Sequence, residues 1–372
     1  MQKNSNNKIA ASIFLLASSV VSCQMNRQDM GNKRLPNELL CEMTQYIEEK
    51  YNITEFGRAN SVTKYFSEKK LYKQYENLFN TFDKFEDEHA HFLLTAYDPI
   101  LRPAAVKALK ENRTITTIKL FGFNKKVRSA ALGLETFRDA TLSLKTLAEV
   151  LKENKTIRTI NLGNNTIGDA DVAVLAEALK VNKTIKNISL TRNDIGFAGA
   201  VALAEALKVN NSITNIQLNL NDIGDAGAAA LAEALKINKT ITKIKLSSNH
   251  IGFGGAVALA GALKVNKTIT KIELSSNDIG DAGAIALAEA LKVNKTITNI
   301  ELSWNDIGDA GAIALAEALK VNKTITNIGL HLNDIGFAGT EALNVNKTIT
   351  DIGLMYNGIT GRCKNVSRSS TK

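Results

Sequence analysis

Proline is almost missing, with 3 in 372 residues, so little in the chain interrupts regular structure, and a collagen-like chain is excluded. Cysteine is equally scarce. Cys23, Cys41 and Cys363 cannot make a disulfide framework, and no two of them form a CxxC pair. Aromatics make up 6% with a single Trp, so the interleaved rings that stack on nucleic-acid bases are absent. Of the 4 His, His89 and His91 stand two apart, which on a helix points them to different faces; no HExxH or second ligand cluster accompanies them, and no metal site is expected. No phosphate-binding P-loop, Rossmann glycine fingerprint or Ser or Cys nucleophile motif occurs. The sequence therefore offers no catalytic residue and calls for no cofactor. The 46 basic and 37 acidic residues give +9, a mild excess at this length that does not indicate nucleic acid. An apolar share of 44% is too high for a wholly disordered chain.

What the chain has in abundance is self-similarity. Asn165, Asn193, Asn221, Asn249, Asn277, Asn305 and Asn333 recur every 28 residues, each inside I-x-L-x-x-N-x-I-G. A fixed period of this size signals a solenoid. The Ile-x-Leu core alternates with period two and reads as a short strand. An Ala-, Leu- and Glu-rich helix-forming stretch follows, such as Asp281 to Lys292, with acid at its start and base in its last turn. Asn-Lys-Thr closes most units, for example at Asn182 and Asn294, and is read as turn chemistry using the tolerance of Asn for positive φ. The Lys stripe from Lys180 to Lys320 has Glu three residues earlier in most helices, which makes it a solvated ion-pair face. One unit cannot bury its apolar face, whereas a stack can.

This pattern resembles the leucine-rich repeat family, in the long strand–helix subtype of ribonuclease inhibitor and NOD-like receptors. The resemblance runs from about Thr114 to Asn357. It implies an α/β horseshoe solenoid over 113–359, with parallel strands lining the concave wall and helices outside. It also implies that the seven recurring Asn, with Asn357, are buried structural residues. Two departures stand out: about half a unit is inserted around Lys125–Ala140, and the last interval shrinks to 24 residues between Asn333 and Asn357. Residues 360–372 are expected to be a disordered tail, leaving the last strand edge bare.

If strands line the inner wall, the residues that vary between repeats face a protein target. These are Arg192, Gln217, Leu220, Lys245, Glu273, Glu301, Trp304, His331, Leu332 and Tyr356. Lys245 and Glu273 are expected to neutralise each other across adjacent strands. Trp304, Leu332 and Tyr356 fall on successive strands and belong to the kinds of residue that dominate interfaces.

The N-terminal third reads differently. Lys3 and Lys8 precede an apolar run from Ile9 to Val21 that ends at Ser22-Cys23, the build of an export signal and too short to span a bilayer. Over residues 1–23 it resembles the signal of bacterial lipoproteins, which implies Cys23 as the lipidated residue and a membrane attachment. From Asn32 to Leu71 an all-α module resembles the F-box. Its carriers are Leu35, Pro36, Leu39, Leu40, Ile47 and Val62, which by that resemblance would bind the Skp adaptor of a ubiquitin ligase. Residues 72–112 form a helical connector and an N-terminal cap. Together these resemblances imply an exported, non-catalytic adaptor that links a target to a host ligase. Two alternatives stand beside it: a surface lipoprotein acting as adhesin or scaffold, and, on fold analogy alone, an enzyme inhibitor.

Overall fold

Each repeat turns one short Ile-centred strand and one Ala–Leu helix into a single layer of a stack. The computed structural model describes residues 110–111, 113, 115–119, 140–345, 349, 351–358 and 366–367. All lie in one compact unit, residues 78–96 and 105–372. The export signal with Cys23, the F-box-like segment with its six residues, most of the proposed cap, His89 and His91, and the insertion before Ala140 lie outside the described residues.

The elements alternate as β1 (Thr117–Lys119), α1 (Ala140–Glu153), β2 (Thr159–Asn161), α2 (Asp169–Val181), β3 (Asn187–Ser189), α3 (Phe197–Val209), β4 (Asn215–Gln217), α4 (Gly224–Ile237), β5 (Lys243–Lys245), α5 (Phe253–Val265), β6 (Lys271–Glu273), α6 (Gly280–Val293), β7 (Asn299–Glu301), α7 (Asp309–Val321), β8 (Asn327–Gly329), α8 (Phe337–Asn344), β9 (Asp351–Gly353) and β10 (Val366–Ser367). One sheet takes the strands in chain order. β1 to β9 are parallel, and their central Ile residues pair in an unbroken row from Ile118 to Ile352. Every Ile of that row is buried. The shortened last interval costs α8 part of its length, at 8 residues against 13 in α7, yet Ile328 still pairs with Ile352. The last strand does not end bare, as the sequence suggested. β10 pairs antiparallel with β9, Val366 opposite Ile352, so two residues of the expected disordered tail continue the sheet.

Helices pack on their sequence neighbours from α1 to α8. Strands stack at roughly 4.8 Å and helices at roughly 8–10 Å, so the layered array must bend with the sheet on the inside. Small side chains keep the helix spacing low. Gly227, Gly255, Gly283, Gly311 and Gly339 each face the Ala of the preceding helix, with room for almost no added carbon.

Two columns of buried Asn tie layer to layer. In the first, Asn277 donates through Nδ2 to the carbonyls of Leu246 at 3.1 Å and Leu274 at 2.9 Å. Its Oδ1 accepts from the Ile251 and Asn249 amides, each at 3.0 Å. The second column comprises the Asn of Asn-Lys-Thr and its counterparts. Asn294 donates to Leu263 and Asn266 carbonyls at 2.8 and 3.1 Å and accepts from the Thr296 and Ile297 amides. Here the turn-chemistry reading needs correction. These Asn cap their helices in extended backbone, φ −72° and ψ 129° at Asn294, and are chosen for a buried side-chain amide that serves both neighbouring layers, not for positive φ.

The acid at the helix start also acts across layers. Asp281 lies in the first turn of α6, but its Oδ1 accepts from the Gly308 and Gly311 amides at the start of α7, both at 2.8 Å. Asp225 and Asp309 do the same for the next helix, and Asp169 holds Gly196. The capping residues there are glycines without a side chain, so the neighbouring carboxylate satisfies the orphan amides. Phe197 and Phe253 replace that Asp in alternate repeats. The glycine one layer on then flips: Gly224 and Gly280 have φ +62° and +60°, against −91° at Gly252 and −94° at Gly308. Their amides turn to the carbonyls of Asn249 and Asn305 instead, at 2.9 and 2.8 Å. The left-handed glycine thus accompanies Phe197 and Phe253 in the layer before it.

Candidate functional site

The strand face opposite the helices carries the positions that differ most between repeats. Alternation around the buried Ile turns both flanking residues outward. The residue after Ile forms an in-register row in which Gln217, Lys245, Glu273, Glu301, Gly329 and Gly353 follow one another across adjacent strands. The residue before Ile forms a second row that includes Lys243, Lys271, Asn299, Asn327 and Asp351. The sequence reading passed over this row, although the same period-two rule assigns it to the surface.

Charge is unevenly settled on this face. Glu273 Oε2 lies 3.1 Å from Lys245 Nζ and its Oε1 lies 2.9 Å from Lys271 Nζ. Burial alone would raise the Glu273 carboxyl, but bonds from Lys271 and Lys245 more than offset it and hold it below the usual carboxylate range. Glu301 differs. Among the described residues no cation lies within ion-pair distance of it, and burial, reinforced by Glu273 and Asp351 and opposed by the positive fields of Lys271 and His331, pushes its carboxyl up. Its side chain lies over Gly329, where an added Cβ would stand 1.9 Å from Oε2. The His331 ring likewise lies over Gly353, and its Nδ1 accepts from the Met355 amide at 3.2 Å.

Past the strand, the residue just before each ladder Asn is held in the left-handed region. Asn164, Arg192, Leu220, Ser248, Ser276, Trp304, Leu332 and Tyr356 have φ between 53° and 60°. None is glycine, although glycine alone would take that backbone freely; a non-glycine residue there costs roughly 1–2 kcal/mol. The position therefore keeps side chains at a cost. Trp304 is 57% exposed and Tyr356 74%, with Leu332 half-buried between them in sequence and Leu220 and Arg192 exposed further up the array. The structure brings Glu301, Trp304, His331, Leu332 and Tyr356 together on β7 to β9 and the turns that follow. Lys245 and Glu273 sit two strands and one strand before β7, Gln217 on β4, and Arg192 and Leu220 after β3 and β4.

The helix side is uniform by contrast. Glu177–Lys180, Glu205–Lys208, Glu233–Lys236, Glu289–Lys292 and Glu317–Lys320 form ion pairs along the helices. An aliphatic residue ends each helix from Val181 to Val321, more than half exposed. This side varies less from layer to layer than the strand face, mainly at the helix starts, where Phe197, Phe253 and Phe337 stand exposed.

Six segments, residues 153–176, 181–204, 209–232, 238–260, 265–288 and 293–316, match the leucine rich repeat family. Among solved structures, the array is similar to the actin-binding site 2 of leiomodin-1, at 29% identity and TM-score 0.34 over 40% of this chain and 88% of that one. It is also similar to the C-terminal domain of a Caenorhabditis elegans tropomodulin, at 17% identity and TM-score 0.34 over 40% of this chain and 92% of that one. No curated protein matches the chain. In the leucine-rich-repeat register, the seven Asn from Asn165 to Asn333 are buried, and Asn357 extends the column by donating to Leu330 and Leu354 carbonyls, both at 2.9 Å.

Proposed function

We propose that this protein is a non-catalytic binding protein whose sheet face, centred on Trp304, Leu332 and Tyr356, holds a protein partner. Leucine-rich repeats imply a protein–protein interaction role. One observation carries the choice of surface: three large apolar side chains are displayed in successive layers at a position where the backbone would be relaxed only by glycine. The left-handed turn recurs in every layer from Asn164 to Tyr356, so what singles out these three is the side chain each displays.

Trp304→Ala in the full-length protein should weaken partner capture by at least about 2 kcal/mol, roughly thirtyfold, with no fall in melting temperature. Trp304→Gly should weaken it equally while raising the melting temperature, because it relieves the left-handed backbone. Undiminished capture by both variants would remove this face from consideration.

A finer reading rests on the resemblances of the N-terminal third. The chain would be exported and would couple its bound target to a ubiquitin ligase through Leu35, Pro36, Leu39, Leu40, Ile47 and Val62. Full-length protein should then retain a purified Skp adaptor, and Leu39→Asp with Leu40→Asp should abolish retention. Failure of the unaltered chain to retain it, with lipid labelling at Cys23, favours the surface-anchored scaffold.

A further inference from the structure

The charge pattern of the sheet face is unbalanced at one point. Glu273 and Glu301 are directly paired in register on β6 and β7, and like charges opposite one another on a sheet repel. Both nearby lysines are committed to Glu273. Glu301 is left half-buried without a cation among the described residues, although its carboxylate could be relieved by one lysine in the next strand. That strand instead offers Gly329, and the one after it Gly353. The two glycines leave the row without side chains just where Glu301 and His331 lie flat across it. Three residues beyond Glu301, past the end of the strand, stands Trp304, the sole Trp of the chain, followed in the next layers by Leu332 and Tyr356.

We infer that the Glu301 carboxylate, seated over Gly329, is the anchor for a basic side chain of the partner, with arginine the best fit, and that an apolar neighbour of that residue packs on Trp304, Leu332 and Tyr356. A guanidinium would supply the missing counter-charge to Glu301 in a partly desolvated setting, where such a pair is worth more than at open surface. Its planar fork can pair with both oxygens of that carboxylate, and its stem can cover the Trp304 ring. The chain thus displays a vacant half of an ion pair as its specificity element. This inference rests on the sheet-face reading above and names the chemistry of the partner at that face.

The test uses the full-length protein and Trp304 emission as the reporter. The probes are acetylated, amidated hexapeptide pools with one position fixed as Arg, its neutral isostere citrulline, Lys or Glu and apolar residues elsewhere. Arginine pools should bind at least about tenfold more tightly than citrulline or Glu pools, with Lys between. Glu301→Gln should erase the difference between arginine and citrulline while keeping the melting temperature at or above that of the unaltered protein, since it removes the repulsion with Glu273. Gly329→Ala, which pushes the carboxylate from its seat, should reduce the arginine preference by a different route. Equal binding of arginine and citrulline pools, or an arginine preference that survives Glu301→Gln, overturns the inference while the binding face stands. Silence from every pool also overturns it, and the face is then decided by the Trp304 variants.

Discussion

Asn277→Ala should lower the unfolding free energy by about 3–5 kcal/mol, a loss at the upper end for a single side-chain truncation. The reason is the number of backbone groups that this one amide serves. Its Oδ1 is the acceptor for the buried Ile251 and Asn249 amides, and its Nδ2 serves the Leu246 carbonyl. Water cannot reach these groups when the side chain is cut back, and each orphaned one costs about 1–3 kcal/mol. The Leu274 carbonyl is spared because Asn305 Nδ2 also donates to it at 2.9 Å. Asn249 provides an internal control. Its Oδ1 has no partner among the described residues, and the left-handed Gly224 loop bonds its backbone carbonyl instead. Asn249→Ala should therefore cost clearly less, about 1–2 kcal/mol. Urea unfolding of both variants decides the matter, and the Asn277 variant should also split the transition, since stack stability is a sum of nearest-neighbour terms. Equal losses for the two Asn would contradict the bonding pattern.

Gly283→Val should destabilise by about 3 kcal/mol or more, at the upper end of what overpacking does. A glycine inside a helix normally costs about 1 kcal/mol relative to Ala, so its presence needs a reason, and the reason is space. A Cβ at Gly283 would stand 2.5 Å from Ile279 Cγ2 and 3.0 Å from Ala256 Cβ. The branched Val methyls would force α5 and α6 apart while β5 and β6 stay hydrogen-bonded, and the strain would pass to the next layers. Gly261, also helical, has no atom within 4 Å of an added Cβ; Gly261→Ala should stabilise by up to about 1 kcal/mol through helix propensity. Thermal melts showing both glycines equally tolerant would mean that helix spacing is not set by this column.

The Asn and Gly columns show how far the sequence alone reaches. A 28-residue period, Ile-x-Leu alternation and an Ala–Leu helix leave one architecture, because a unit that cannot bury its own apolar face must stack, and an identical unit stacks in register. The ladder role of Asn165 to Asn333 was legible for the same reason. The second Asn column was visible as a motif but misread, because Asn before a turn has two uses, backbone freedom and side-chain bonding, and only the dihedral separates them. The Asp of Ile-Gly-Asp was read as serving its own helix. That its carboxylate reaches the next one depends on the distance between layers, which no single repeat encodes. The surface was half legible: variation among repeats pointed to Trp304, Leu332, Tyr356, Glu273 and Glu301, whereas Lys271, which takes part in neutralising Glu273, was overlooked one residue before the Ile.

Local repetition by itself therefore determined the fold, its register and the identity of the display column, because each follows from periodicity and from the need to bury Ile, Leu and Asn. Tertiary structure alone decided the states of individual groups: which glycine turns left-handed, which strand ends the sheet, and why Glu273 is neutralised while Glu301 is left with its charge unpaired. Those outcomes depend on what the adjacent layer presents at a few ångströms, as Lys245 does to Glu273 and Asn249 to Gly224.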